Sequence, residues 1–309
     1  MLVTLNEVTV SYTDKKILDN VSFSINDNDK IGIVGINGTG KSTLLKTILG
    51  EVDIQSGEIF RKSGIKIAYL PQQPKFDENA SIIDTALKES KVDNEYEIKA
   101  MLSKLGIDNL DSKISTLSGG EKRRLALAIT LVKQCDLLIL DEPTNHLDIW
   151  MINWLEKYLT KWSKALLLVT HDRYFLERIT NKTLDIELGN VYLYDVNYSN
   201  YLNLKVERAE YQQANYRKLK AVLKKEAAWA ALNPQARSTK STERLKRYYE
   251  LEDKTNKLKN NINEINKEMA LSSLTTRLGR KTIEINNLSK SINDKVLFSD
   301  FSYIVKRFD

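Results

Sequence analysis

Apolar residues recur along this chain with two different periods, and the places where the period changes mark its elements. Val3 to Val10 alternates apolar with polar positions, as do Val21, Phe23 and Ile25, which predicts two half-buried strands ended by an Asn26-Asp27 turn. Lys30-Ile31-Gly32-Ile33-Val34 is a short apolar, β-branched run of the kind that forms a buried strand, and Thr43 to Leu49 carries helical spacing. Gly57 to Ile59 and Ile67 to Leu70 read as a further strand pair, closed by Pro71-Gln72-Gln73-Pro74. Ile82 to Leu110 predicts a small helical unit, and Lys122 to Val132 a strong helix. Leu137 to Leu140 and Ala165 to Val169 are continuous apolar runs, as parallel strands covered on both faces require. The fold expected is α/β, a nucleotide-binding core with an antiparallel β subdomain and a helical subdomain.

The pattern changes near Tyr198. Leu202 to Leu232 is a long polar run rich in alanine and lysine, interrupted only by Pro234, after which Tyr248, Leu251, Thr255, Leu258, Ile262, Ile265 and Met269 recur at spacings of three and four. This predicts a long antiparallel helical hairpin. The last segment then repeats the first: shifting by 280 residues places Val3-Thr4-Leu5-Asn6 on Ile283-Glu284-Ile285-Asn286, with six identities in 27 positions. The expected organisation is a nucleotide-binding domain over residues 1–198, a helical linker over 199–281, and the first strands of a second such domain over 282–309. Its phosphate loop would fall near position 315.

Charge sharpens that division. The net charge is +6, yet Tyr201 to Arg280 alone holds 18 Lys/Arg against 9 Asp/Glu, so the basic character belongs to the hairpin. Arg237, Lys240, Arg244, Lys246 and Arg247 cluster at its turn and second helix with Glu243 the one acid among them, which suits a phosphate backbone but also a solvated spacer. No apolar run reaches membrane-spanning length and no signal-peptide pattern opens the chain, so a cytoplasmic protein without a membrane partner is expected. One cysteine and two histidines set aside disulfide and zinc chemistry.

The chemistry centres on Gly35-Ile36-Asn37-Gly38-Thr39-Gly40-Lys41-Ser42, which matches G-x-x-x-x-G-K-[ST] at every fixed position and lies between a predicted strand and helix. Glycines let successive N–H groups turn inward on phosphate oxygens, and the helix start at Thr43 adds its partial positive charge. Lys41 is expected on the β- and γ-phosphates and Ser42 on Mg²⁺. Ser118, Gly119 and Gly120 open the next strong helix and repeat the anion-site logic. Asp141 and Glu142 end a buried strand, where open α/β sheets bind ligands; Asp141 is the candidate Mg²⁺ ligand and Glu142 the candidate base for the attacking water. His171, after the second buried strand, is a candidate γ-phosphate contact. Gln72 is either a metal or water contact or an ordinary turn residue, and Tyr12 either stacks on a purine or packs on the strand rim.

The order of these motifs, with Leu117-Ser118-Gly119-Gly120-Glu121 and Asn145-His146-Leu147-Asp148, resembles the ATP-binding cassette ATPases over residues 1 to about 198. The resemblance implies ATP and Mg²⁺ as ligands, with Tyr12 on adenine, Gly38, Gly40 and Lys41 on phosphate, and Ser42, Gln72 and Asp141 on the metal. It also implies Glu142 as base, Asp148 as the residue coupling opposed sites, and His171 as the γ-phosphate sensor. Two such cassettes sandwich ATP head to tail, the signature serine of one completing the phosphate loop of the other, so a second cassette in cis or a head-to-tail homodimer is implied. The basic linker, with Ala228-Trp229 to Arg247, is similar to the Uup-type branch of the ABC-F family. That likeness implies a ribosome-associated partner, with transfer RNA and ribosomal RNA near the linker, in a translation factor or an antibiotic-resistance factor. A DNA-binding ATPase is the alternative, because charge alone does not separate the two polymers; a transporter subunit fits less well, since it has no use for this hairpin.

Overall fold

The computed structural model describes residues 1–12, 15–92, 94–231, 242–272, 281–292 and 295–306. The chain divides into two units, Met1–Arg208 and Ala209–Asp309.

In the first unit, β1 (Val3–Tyr12), β2 (Lys15–Ile25) and β4 (Ser56–Arg61) form an antiparallel sheet in the order β2-β1-β4. A second sheet has the order β5-β6-β7-β3-β8-β9, built from β3 (Lys30–Val34), β5 (Ile67–Leu70), β6 (Leu137–Asp141), β7 (Ala165–Val169), β8 (Lys182–Glu187) and β9 (Asn190–Tyr194). Its pairings are parallel except β8 with β9. The continuous apolar runs explain why β6 and β7 sit centrally. Leu137 and Ile139 enter one core with α1 (Lys41–Leu49) and the antiparallel sheet, while Leu138 and Leu140 enter the other. That other core is closed by α2 (Ile82–Ser90), α3 (Glu95–Lys104), α4 (Gly119–Val132), α5 (Ile149–Thr160) and α6 (Arg173–Ile179). Successive side chains of a strand point to opposite faces, so a strand with two helical or sheet layers over it must be apolar throughout.

One sequence expectation is corrected. The segments 57–59 and 67–70 do not pair with each other: β4 pairs with β1, and β5 lies parallel to β6 in the other sheet. Gly64, at φ 70, makes the turn between them look like a hairpin loop. Burial decides otherwise, because Ala68 and Leu70 belong to the helical core whereas β4 is largely exposed.

The first unit also includes the start of α7 (Tyr198–Ala231). Asp185 of β8 is fully buried, and its carboxylate meets Lys205 at 2.9 Å and Arg208. Arg208 also pairs with Glu187 and lies 3.8 Å from the Tyr192 ring centre. A buried carboxylate is tolerable only with such partners, so the cations of α7 fix its first turns on β8 and β9.

The second unit holds the rest of α7, α8 (Thr242–Ser272), β10 (Lys281–Ile292) and β11 (Lys295–Lys306). The end of α7 and the start of α8 meet through Arg244, whose Nε and Nη2 bond both oxygens of Glu226 at 2.8 and 3.0 Å and whose guanidinium lies 4.1 Å from the Trp229 ring centre. The turn between the two helices, with Arg237 and Lys240, lies outside the described residues.

The repeat seen in sequence is present in backbone detail. Val3↔Ile25, Leu5↔Phe23, Val8↔Val21 and Val10↔Leu18 in β1–β2 recur, each shifted by 280, as Ile283↔Val305, Ile285↔Tyr303, Leu288↔Phe301 and Lys290↔Phe298. The irregularities recur as well. Glu7 (φ 50) and Asn20 (φ 55) match Asn287 (φ 47) and Asp300 (φ 54), and the Glu7 amide donating to Ser22 Oγ matches Asn287 donating to Ser302 Oγ. Bulges are specific, positioned features of a strand pair rather than defects, so their repetition goes beyond what two arbitrary hairpins share.

Candidate nucleotide site

The glycine loop joins β3 to α1. Gly40 caps α1 at φ 102 and has no side chain to bond the first helical amides, which leaves them for an anion. Only a small residue fits there: a Cβ on Gly40 would come within 2.5 Å of Ile17 Cγ2. Gly38, at φ 83, takes a second left-handed turn. A helix of nine residues is marginal alone, so packing must hold it. Leu44, Leu45 and Ile48 are fully buried, each contributing about 1.5–3 kcal/mol relative to exposure, which outweighs any propensity term.

The loop forms one wall of a cavity of about 410 Å³. Asn37, Gly38, Gly40, Lys41, Ser42 and Thr43 line it together with Gln72, Asp141, Glu142 and His171, so residues from separate stretches of the chain converge. Lys41 Nζ donates to Gly35 O at 2.7 Å and Ile36 O at 3.0 Å, and burial lowers its pKa against the pull of Glu142 and Asp141. Asp141 is 3% exposed; burial raises its pKa, opposed by Arg123, Lys41 and the nearby Ser42 hydroxyl. Burial likewise raises the pKa of Glu142, opposed first by His171, whose Nε2 stands 3.5 Å from Glu142 Oε1. The His171 side chain is 65% exposed, so it is a group at the mouth rather than a core histidine.

Other expected residues lie elsewhere. Tyr12 is 49% exposed and is not part of the cavity wall, nor are Ser118, Gly119 and Gly120. Ser118 caps its own helix: its Oγ accepts from the Glu121 amide at 3.3 Å, while Glu121 Oε2 accepts from the Ser118 amide at 2.8 Å. Asp148 caps α5 through the Met151 amide at 2.8 Å. In the second unit, Arg247 pairs with Glu243 at 2.6 Å and Arg244 with Glu226. The acidic balance near the hairpin turn therefore includes Glu226, which the local count along α8 misses.

Two features of the site had no sequence signal. Ile17 lines the cavity from β2, and Arg123 of α4 lies behind its carboxylates. The Arg123 guanidinium donates to the carbonyls of Pro71 and Asp141, and to that of Glu142 at 3.0 Å. Arginine five residues after Ser118 reads as a surface helix residue until the tertiary structure buries it.

Such a cavity, with a cationic glycine loop on one side and two buried carboxylates on the other, can hold a polyphosphate and activate water beside it. Known proteins resemble the chain in sequence and in fold. Two family models, both described as ABC transporter, match residues 18–145 and 184–267, the second being the family's extension. The chain is 35% identical to the uncharacterised ABC transporter ATP-binding protein YfmR of Bacillus subtilis, over 96% of this chain and 52% of that protein. It is 33% identical to the energy-dependent translational throttle protein EttA of Haemophilus influenzae, over 95% and 59% respectively. It is also 33% identical to the ATP-binding protein Uup of Buchnera aphidicola, over 100% and 53%. The chain thus spans little more than half the length of these relatives. Among solved structures, the ATP-binding subunit of an ABC transporter matches with a TM-score of 0.57 at 23% identity, covering 63% of this chain and 90% of that one. A bacterial Atm1-family exporter with ATP bound matches at 0.59 and 22%, covering 66% and 40%. Among the described residues no helix is long and apolar enough to cross a membrane. The chain is a member of the ATP-binding cassette family, with the cassette and helical extension of an ABC-F protein.

Proposed function

We propose that this protein is an ATP-hydrolysing ABC-F factor that acts on the ribosome, its basic helical linker meeting RNA. The observation that supports the hydrolytic reading is the convergence of Lys41, Ser42, Gln72, Asp141, Glu142 and His171 on one cavity. Lys41 leaves its carbonyl partners for the β- and γ-phosphates, the α1 amides take phosphate oxygens, and Glu142 accepts the proton of the attacking water with His171 beside it. Ser42, Gln72 and Asp141, all on the cavity wall, offer oxygen donors of the kind a hard cation takes. Mg²⁺ held by these residues would supply neutralisation of the charge that develops during phosphoryl transfer.

An opposed cassette completes the site. Ser118, Gly119 and Gly120 are absent from this chain's own cavity wall, which supports their use on the nucleotide of another cassette. Ser118 must then exchange its bond with Glu121 for a phosphate oxygen. The second hairpin, β10–β11, is read as the opening of that second cassette. For the chain by itself, ATP turnover per molecule should rise with protein concentration, as a symmetric head-to-tail dimer assembles by mass action. Phosphate release measured alongside light scattering checks this; full-rate turnover by a monomer contradicts the shared site.

The ribosomal partner rests on relatives named for translational throttling and on the basic hairpin. Replacing Arg237, Lys240, Arg244, Lys246 and Arg247 together by alanine should weaken binding and flatten its salt dependence, by a slope of about 0.7–0.9 for each phosphate left without its cation. Arg244 and Arg247 already hold carboxylates, so each must give one up to meet a phosphate. Cosedimentation with purified ribosomes across a salt series reads the slope; an unchanged slope leaves the hairpin a spacer. A parallel series with duplex DNA tests the alternative, a DNA-binding ATPase.

A further inference from the structure

Arg123 is 4% exposed, yet among the described residues it forms no ion pair with a carboxylate. Its guanidinium is spent on three backbone carbonyls instead, those of Pro71, Asp141 and Glu142. A buried guanidinium is costly, and a side chain of similar volume without charge would fill the space at less cost. Its geometry is more specific than filling: a planar fork reaches two different loops at once.

Both loops belong to the nucleotide cavity. Pro71 precedes Gln72, and Asp141 and Glu142 are the buried carboxylates. Glu142 takes φ 53, in the left-handed region that a residue with a Cβ avoids unless its surroundings hold it there. Three bonds do so. The Glu142 amide donates to Val169 O at 2.8 Å, and its carbonyl accepts from Arg123 at 3.0 Å and from the Asn145 amide at 3.3 Å. Without the guanidinium only the longer Asn145 bond holds this carbonyl, and the peptide can relax toward an ordinary φ, turning the carboxylate away from the cavity. The guanidinium sits on α4, five residues after Ser118, so the helix that opens with Ser118-Gly119-Gly120 is joined to the chain's own carboxylates.

We infer that Arg123 is a positioning residue for hydrolysis, holding Glu142 and the Gln72 loop in working register with the helix that begins at Ser118. This rests on the hydrolytic reading above. Arg123 belongs neither to the cavity lining nor to the loop that binds phosphate, so affinity for ATP and the rate of hydrolysis separate in its variants.

The test uses the full chain with Arg123→Lys, Arg123→Met and Arg123→Ala. Binding of a fluorescent ATP analogue, thermal melting and steady-state phosphate release are measured at a protein concentration where the wild type turns over. Lysine keeps the charge but cannot span both loops. The expected result is Kd within about 3-fold of wild type, with kcat lowered about 10-fold in Arg123→Lys and about 100-fold in Arg123→Met. Millimolar methylguanidine should restore part of the Arg123→Ala turnover, and methylammonium should not. Wild-type kcat in Arg123→Lys and Arg123→Met overturns the inference, as does a loss of turnover matched by equal losses in ATP affinity and melting temperature without rescue. Equal phosphate release by wild type and Glu142→Gln is a different outcome: it removes Glu142 as the base, the part of the proposed mechanism on which this inference rests.

Discussion

Lys41→Ala is expected to abolish nucleotide binding. Lys41 is half-buried among Gly35 O, Ile36 O and the carboxylates Asp141 and Glu142, and it is the cation that the cavity wall places beside the phosphate loop. Without it, polyphosphate enters a site with two buried carboxylates and no lysine at the glycine loop, since Arg123 lies behind those carboxylates and His171 at the mouth. Removing one partner of a desolvated charge pair costs about 3 kcal/mol or more, which is at least ~100-fold in Kd. The fold should survive, because α1 is anchored by Leu44, Leu45 and Ile48 rather than by Lys41. Titration of a fluorescent ATP analogue, with a melting curve as control, reads both halves of the prediction. Undiminished affinity in a folded variant sinks the phosphate-loop assignment.

Glu142→Gln has the opposite signature: binding persists while hydrolysis falls by about 10²–10⁴-fold, the range of a lost general base. An amide keeps the shape of the side chain, but it cannot accept the water's proton. Burial supports the assignment physically, since a carboxylate kept from solvent and pushed toward its neutral form is a better base than an exposed one. Equal turnover in the two proteins places the base elsewhere.

What could be read from the sequence follows from how far each signal reaches along the chain. The glycine loop between strand and helix was legible because every requirement is local: glycines where φ is positive, Lys41 and Ser42 at the helix start, an apolar strand before and an apolar helix face after. The two carboxylates were legible because a strand buried on both faces cannot end in Asp141-Glu142 without a reason. Pairing was less so, since β4 and β5 are both short and joined by a glycine turn, and only the layer over each strand assigns them to different sheets. Arg123 and the Glu226–Arg244 pair were invisible for one shared reason: each depends on a partner distant in sequence or on another helix, and a charged residue with helical spacing reads as a solvated face. The repeat at a shift of 280 was legible as six identities, but its bulges emerged only from the backbone.

The most direct test of nucleotide binding at the glycine loop is amide hydrogen exchange of the full chain with and without saturating Mg·ATP. Slowed exchange is expected across residues 35–43, where the loop and α1 amides take phosphate oxygens, with smaller protection at 141–146 and around Gln72. The same pattern should persist in Glu142→Gln and vanish in Lys41→Ala. Unchanged exchange at 35–43 under saturating nucleotide, with protection appearing elsewhere in the chain, contradicts it.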